Sequence, residues 1–551
     1  MRFLYRVVGV MALAAVAVSG LAATALAGWP LTKTHWSPED ELDFEAFVTQ
    51  IGESNCSTPN ECMRSSANRY VGTDHRSINF DSDCADLAYF LRAYYASKNG
   101  LPFSFAAGVR PRVKGQSDLR FNTGGNLITD RVSITGRGGA SIASVFSQIR
   151  DMVSSATFRV GPEWDDAPYT DFYSPAITRE TIRPGMPVYD INGHVVVIYK
   201  VAEDGRIHYM DSHPDYSLTR SVFGAQFGRA DPHLGAGIKA WRPIELVGAN
   251  RRGDELVGGR IVLAKNEEIP TFSMEQYLGN VPDPQGDWHA GKFIRDGVEM
   301  GFYEYVRSQL SSGEFHYNPV YELSTTIRSL CADLHDRVAA VEAAIDAGIH
   351  RKEQPGRLPP NIYGTDQMEW EIYSTPSRDA RLKTRFVEFR TEMGRLIQLW
   401  IDRDTRVAYD GLNLKADLLE AYQREAAACR ITYSNSDRQI VTLDFAEISQ
   451  RIFKLSFDPY HCIERRWGAT SETELASCPD GSTKRRWYLA EQGLRNQIER
   501  TYERRMDFTV SQLEDGVPGS GTLVEPDVDV LKLIETMGAR VAFQGMQPRG
   551  E

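Results

Sequence analysis

The sequence has no surplus of basic residues: 62 Lys and Arg stand against 74 Asp and Glu in 551 residues, a formal charge of -12 at pH 7. Nowhere do Lys and Arg form a continuous patch, so phosphate-backbone binding has no electrostatic footprint and nucleic acid is not an expected partner. Long apolar runs are also missing. Beyond residue 27 nothing approaches the ~20 apolar residues that a membrane-spanning helix needs. No internal repeat is present, and cysteine is sparse, seven in all. What remains is ordinary globular composition, 42% hydrophobic with 10% aromatics and 25% charged residues. That rules out a wholly disordered or collagen-like chain, and at ~150 residues per domain the length suggests roughly three or four domains.

Residues 1–27 combine Arg2 and Arg6, an apolar run from Val7 to Val18, and Ala25-Leu26-Ala27 ahead of Gly28, the layout of a cleaved secretory signal. The mature chain is therefore expected to be exported, to the periplasm or the extracellular space. Without the two leader arginines, 60 basic residues face 74 acidic ones, a charge of about -14 by the same counting. Export permits disulfides. Cys56 with Cys62 and Cys462 with Cys478 bracket short polar loops, and Cys331 and Cys429 lie in helical-looking segments that a bridge could join. The odd count leaves Cys84.

Around Cys84, Leu87, Phe90, Leu91, Tyr94 and Tyr95 recur at helical spacing, with Asp83 as N-cap and Gly100 followed by Pro102 as the stop. This predicts a buried helix with Cys84 in its first turn. Residues 108–180 show little periodicity and read as an insertion. Strand-like runs follow at Met186 to Tyr189, His194 to Val201 and Arg206 to Asp211, the last two joined by the turn signal Glu203-Asp204-Gly205. From about Glu322 the apolar spacing is helical, and the charged run Arg485 to Arg505 reads as a solvated helix face. The expected organisation is an α+β domain over residues 28–245, a connecting region over 246–320 and a mainly helical part over 321–551.

A thiol nucleophile profits from a helix N-terminus, which lowers its pKa, and needs an imidazole as base and a third group to fix that imidazole's tautomer. Cys84, His194 and Asp211 supply these types in an order that a helix followed by a hairpin can bring together. Asp215 competes with Asp211, because it faces His194 if Asp204-Gly205 forms a two-residue turn. His208, Asp211, His213 and Asp215, four potential ligands in eight residues, raise metal binding as competing chemistry.

The stretches Tyr70-Val71-Gly72 and Asp83-Cys84-Ala85-Asp86-Leu87 resemble the tyrosine-glycine and D-C-S-G-L motifs of NlpC-type cell-wall cysteine peptidases. Arg183-Pro184-Gly185 and Gly193-His194-Val195 through Tyr199 resemble that family's later strands. The resemblance covers roughly residues 65–220, with Asp86 in place of a glycine, and the Cys-His-Asp order also resembles transglutaminase-like proteins. It implies a papain-like fold in which Cys84 is the nucleophile, His194 the base, Asp211 the orienter and Tyr70 a hydroxyl near the thiolate, with no cofactor. The expected function is an exported cysteine hydrolase cutting amide bonds in a peptide or peptidoglycan substrate. A non-catalytic envelope-binding or scaffold protein and an acyl transferase are the alternatives.

Overall fold

The computed structural model describes residues 28–537 except 115–117, 137–140, 164–168, 365–367, 374–375 and 500–503. The leader reading of residues 1–27 lies outside the described residues. The chain is α+β, with small antiparallel sheets and helices on both sides of the middle of the sequence.

Helix α1 (Pro38–Gly52) starts at Ser37, whose side chain accepts the Asp40 N–H while the Asp40 carboxylate accepts the Ser37 N–H, a complete capping box. Helix α2 (Cys84–Asn99) is capped by Asp83, which accepts the N–H groups of Ala85 and Asp86, and it ends at Gly100 with φ 64°. A side chain at Gly100 would collide with Thr32 as well as strain the left-handed turn. Residues 85 to 96 of α2 are all buried, so it is the central helix of the first core.

Strands β1 (Phe103–Pro111) and β2 (Asn126–Ile134) form a hairpin, and α3 (Ile142–Met152) follows it. This is the region where the sequence shows little periodicity. A register shift near Gly108 interrupts the strand alternation, and the long connection between the strands lacks a two-residue turn signal. Helix α3 buries Val145, Phe146 and Ile149, and the Phe146 ring stacks on Phe90 of α2 at 4.1 Å.

The main sheet contains β3 (Pro187–Asp190), β4 (His194–Val201), β5 (Ile207–Ser212), β6 (Leu218–Val222) and β7 (Gly237–Ile238) in the order β6-β5-β4-β3-β7, all antiparallel. Val195 and Val197 of β4 enter the core shared with α2, whereas Val196 and Ile198 enter a second core with Tyr305, Val306 and Leu310. This alternation is why β4 reads as a continuous apolar run: both of its faces are covered.

In the C-terminal half, α4 (Pro319–Asp346), α5 (Pro376–Ile401) and α6 (Leu414–Ala428) pack through Leu323, Ile327, Leu330 and Leu334 against Phe386, Phe389 and Met393. Disulfides join Cys56 to Cys62, Cys331 of α4 to Cys429 just after α6, and Cys462 to Cys478. Cys84 is the one free cysteine. The three bridges fit an exported protein, and among the described residues no helix is long and apolar enough to cross a membrane. The charged run from Arg485 is solvated only in part: Arg485, Arg486 and Arg505 are exposed, whereas Glu491 and Arg495 are almost wholly inaccessible, in a buried polar network.

Candidate active site

Cys84 is the first residue of α2, half-buried, where the chain leaves Asp83 and turns into the helix. Two contacts hold this turn to the sheet. The Ser212 hydroxyl donates to the Ser82 carbonyl at 2.5 Å, tying the end of β5 to the residue two before the cysteine. The Val195 N–H faces the Cys84 sulfur closely enough to draw its pKa down, so the thiol lies near the backbone of the residue that follows His194.

His194 and Asp211 meet at 2.7 Å, Nε2 to Oδ2. An ionised carboxylate only accepts, so Nε2 carries the hydrogen and Nδ1 keeps the lone pair. Asp211 Oδ1 accepts the Thr219 hydroxyl at 2.5 Å, from the residue directly paired with Asp211 across β5 and β6. The Thr219 oxygen in turn accepts Nε2–H of His213 at 3.0 Å. The sequence reading missed Thr219; the signal was a second hairpin, with turn residues Pro214-Asp215 between β5 and the β-branched strand Leu218–Val222.

A third element reaches the carboxylate from far along the chain. Arg381 of α5 lies 3.5 Å from Asp211 Oδ2. Burial alone would push the Asp211 carboxyl up, but His213, His194 and Arg381 overcome it and hold the group well below the ordinary carboxylate range. Burial lowers His194, and the Arg381 charge lowers it further against the opposing pull of Asp211, so the imidazole is neutral at pH 7.

The thiol departs from expectation. Burial, then the carboxylate of Asp83, raise Cys84 well above an ordinary thiol, and the Val195 N–H only partly offsets them. Burial and Asp83 likewise raise Asp86, to about 8. The helix N-terminus therefore does not deliver a resting thiolate here, because carboxyl groups of the same turn crowd the sulfur. Ala85 and Asp86 spend their N–H groups on the Asp83 side chain, so the Cys84 N–H is the first-turn donor left for an oxyanion.

Three expectations are corrected by the geometry. Tyr70 is not near the thiol: its hydroxyl accepts from Asn99 at 2.8 Å, at the far end of α2, about 22 Å of helix rise from Cys84. Its ring packs instead among Phe47, Tyr94 and Tyr95. Asp215 does not orient His194; it pairs with Arg378 of α5 at 3.1 Å and accepts from Ser217. The four metal-ligand candidates do not converge. His208 and Asp211 are an odd number of residues apart on β5 and point to opposite faces, with the His208 ring beside Tyr199. Among the described residues the convergent donor sets lie elsewhere, at Cys462, Glu464 and Cys478, whose sulfurs are bridged, and at Asp458, His461 and Glu491.

Next to His194 the chain is covered by Phe121. Gly193 has φ 81°, and a Cβ there would come within 2.8 Å of the Phe121 ring. Phe121 contacts Tyr363 at 5.0 Å, and Arg120 pairs with Glu371 at 3.1 Å, so the C-terminal half also supports this cover. Compared with family models, curated proteins and solved structures, the chain matches none.

Proposed function

We propose that the chain is an exported, papain-like cysteine hydrolase that cleaves amide bonds, with peptidoglycan stem peptides as its substrate class. The observation that carries this reading is the Nε2–Asp211 bond of 2.7 Å, which leaves Nδ1 of a neutral His194 as a base on a strand whose next residue turns its N–H toward the Cys84 sulfur. The substrate class rests on the sequence resemblance.

The raised thiol pKa shapes the chemistry. Cys84 attacks as a thiol that loses its proton during attack, so His194 acts as a general base and not as half of a resting ion pair. The sulfur–carbon bond forms as the carbonyl π pair moves onto oxygen, and the thiol proton passes to Nδ1. The Cys84 N–H meets the oxyanion. Collapse breaks the C–N bond, with the Nδ1 proton going to the leaving amine, and water then hydrolyses the thioester with His194 again as base. Asp211 stays ionised throughout and holds the ring.

A second reading has one observation in its favour: a thiol among carboxyl groups is also what an inert structural cysteine looks like, in a non-catalytic envelope-binding protein. Hydrolysis of a peptidoglycan-derived tetrapeptide by the full chain and by Cys84→Ser, with and without chelator, separates the readings. The hydrolase reading expects activity that Cys84→Ser abolishes and chelator leaves intact. Activity in Cys84→Ser, or none in the parent, overturns it; transfer to an added amine in preference to water redirects it to acyl transfer.

A further inference from the structure

Helix α5 presents Arg378, Arg381 and Arg385, at i, i+3 and i+7, to the sheet that carries His194 and Asp211. The outer two are locked. Arg378 grips Asp215 through both terminal nitrogens, at 3.1 and 3.4 Å. Arg385 pairs with Asp333 of α4 and donates to Ser221 of β6 at 2.8 Å. Arg381 lies between them along the helix, with its guanidinium 3.5 Å from Asp211 in a cavity that Tyr209, His213 and Asp336 also line.

A carboxylate with 2% of its side chain exposed needs a compensating charge to remain ionised. The groups facing the His194–Asp211 pair are Cys84 and its preceding cap Asp83 at the start of α2, Asp190 from β3, Tyr209 from β5 and His213 just after it, Asp336 from α4, and Arg378 and Arg381 from α5. His213 is driven neutral by burial and by Arg378, and Arg378 is engaged with Asp215. Arg381 is thus the permanent cation in ion-pair range of Asp211.

We infer that Arg381 is a positioning residue of the catalytic site: from the helical C-terminal half it adds a fixed positive charge, 3.5 Å from Asp211, to the groups that hold the His194–Asp211 pair in its working state. This rests on the hydrolase reading for its catalytic meaning, but the electrostatic link can be measured without turnover.

The test uses the full chain with ¹³C-labelled histidine rings, the His194 signal being assigned by its loss in His194→Ala. Arg381→Gln removes a cation near the imidazole, so the His194 titration midpoint moves upward, and Arg381→Lys returns it toward the parent. Arg385→Leu, which loosens the same helix face, lowers the melting temperature and leaves the midpoint in place. In kcat/KM on the tetrapeptide, Arg381→Gln loses about tenfold, the scale of one charge-assisted contact, and its acid limb moves up with the midpoint. An unchanged midpoint in Arg381→Gln, or equal shifts in Arg381→Gln and Arg385→Leu, overturns the inference. A shifted midpoint in a protein that hydrolyses nothing keeps the link between Arg381 and His194 and removes the hydrolase reading instead.

Discussion

His194 reaches Asp211 diagonally across the strand pair. The register runs from Val197 opposite Met210, so its continuation sets Asp211 opposite Val196 and His213 opposite His194, whose rings lie 6.0 Å apart and nearly parallel. This depends on Tyr199, which has no partner because Ile198 pairs with Tyr209 and Lys200 with His208. Without that extra residue Asp211 would face Val197 and point to the sheet's other side. The bulge is seated by α1: the Thr49 hydroxyl donates to the Tyr199 carbonyl at 2.9 Å, and the Tyr199 side chain lies on Gly52.

Gly52→Ala tests that seat. A Cβ would stand 2.1 Å from Tyr199 Cγ, so the ring and the bulge must shift. The expected cost is about 1–3 kcal/mol of stability, the range for overpacking, together with lower hydrolysis and an altered His194 titration. Thermal melts and histidine NMR check it; loss of stability with an unmoved His194 signal would separate the bulge from the site.

Asp211→Asn and Asp215→Asn should part ways. Asn at 211 loses the carboxylate that fixes Nε2–H, and kcat/KM falls by orders of magnitude in a folded protein. Asn at 215 breaks the partly exposed pair with Arg378, costing about 1–2 kcal/mol after allowance for screening, and leaves most of the activity. Circular dichroism melts beside steady-state rates decide between them.

Iodoacetamide should label Cys84 slowly at pH 6 to 7 and faster as pH rises beyond 8, because burial and then Asp83 raise the thiol. Asp83→Asn removes the adjacent charge and keeps an N-capping side chain, so labelling at pH 7 accelerates. Fast labelling already at pH 6 in the parent would indicate a thiolate–imidazolium pair and contradict the general-base mechanism.

Asp86 gives a pH signature of its own. Its folded pKa of about 8 lies above the ordinary value of 3.8, so the folded state holds the proton where the unfolded state has released it. Stability therefore declines through this group as pH rises from about 4 to about 8 and is constant beyond. Asp86→Asn escapes the penalty, and its stability advantage over the parent should widen across that window in urea melts. A constant difference would place the Asp86 proton elsewhere.

Locally determined features were legible in the sequence. The Asp83 cap and Gly100 stop bound α2 because capping chemistry is read from single residues, β4 follows from its β-branched run, and β5 follows as the strand returning after the Asp204-Gly205 turn signal. Two bridges are the pairs that short spacing suggests, and the third joins the two helical-looking segments of Cys331 and Cys429. What stayed hidden depends on tertiary placement. Nothing near residue 381 tells that this arginine, and not Arg378 or Arg385, faces Asp211. Tyr70 matches a motif and yet packs at the other end of α2. The sign of the Cys84 shift came from burial and neighbouring carboxyl groups, which a helix-terminus argument does not contain. Glu491 and Arg495 look like surface charges until the fold encloses them.

The most direct test is to trap the acyl-enzyme: incubate the full chain with an activated stem-peptide ester, quench in acid and map the adduct by mass spectrometry in the parent, His194→Ala and Asp211→Asn. The account predicts one acyl group, on Cys84, formed quickly in the parent and far more slowly in both variants. An adduct elsewhere, or acylation of Cys84 at the same rate in all three proteins, would contradict it.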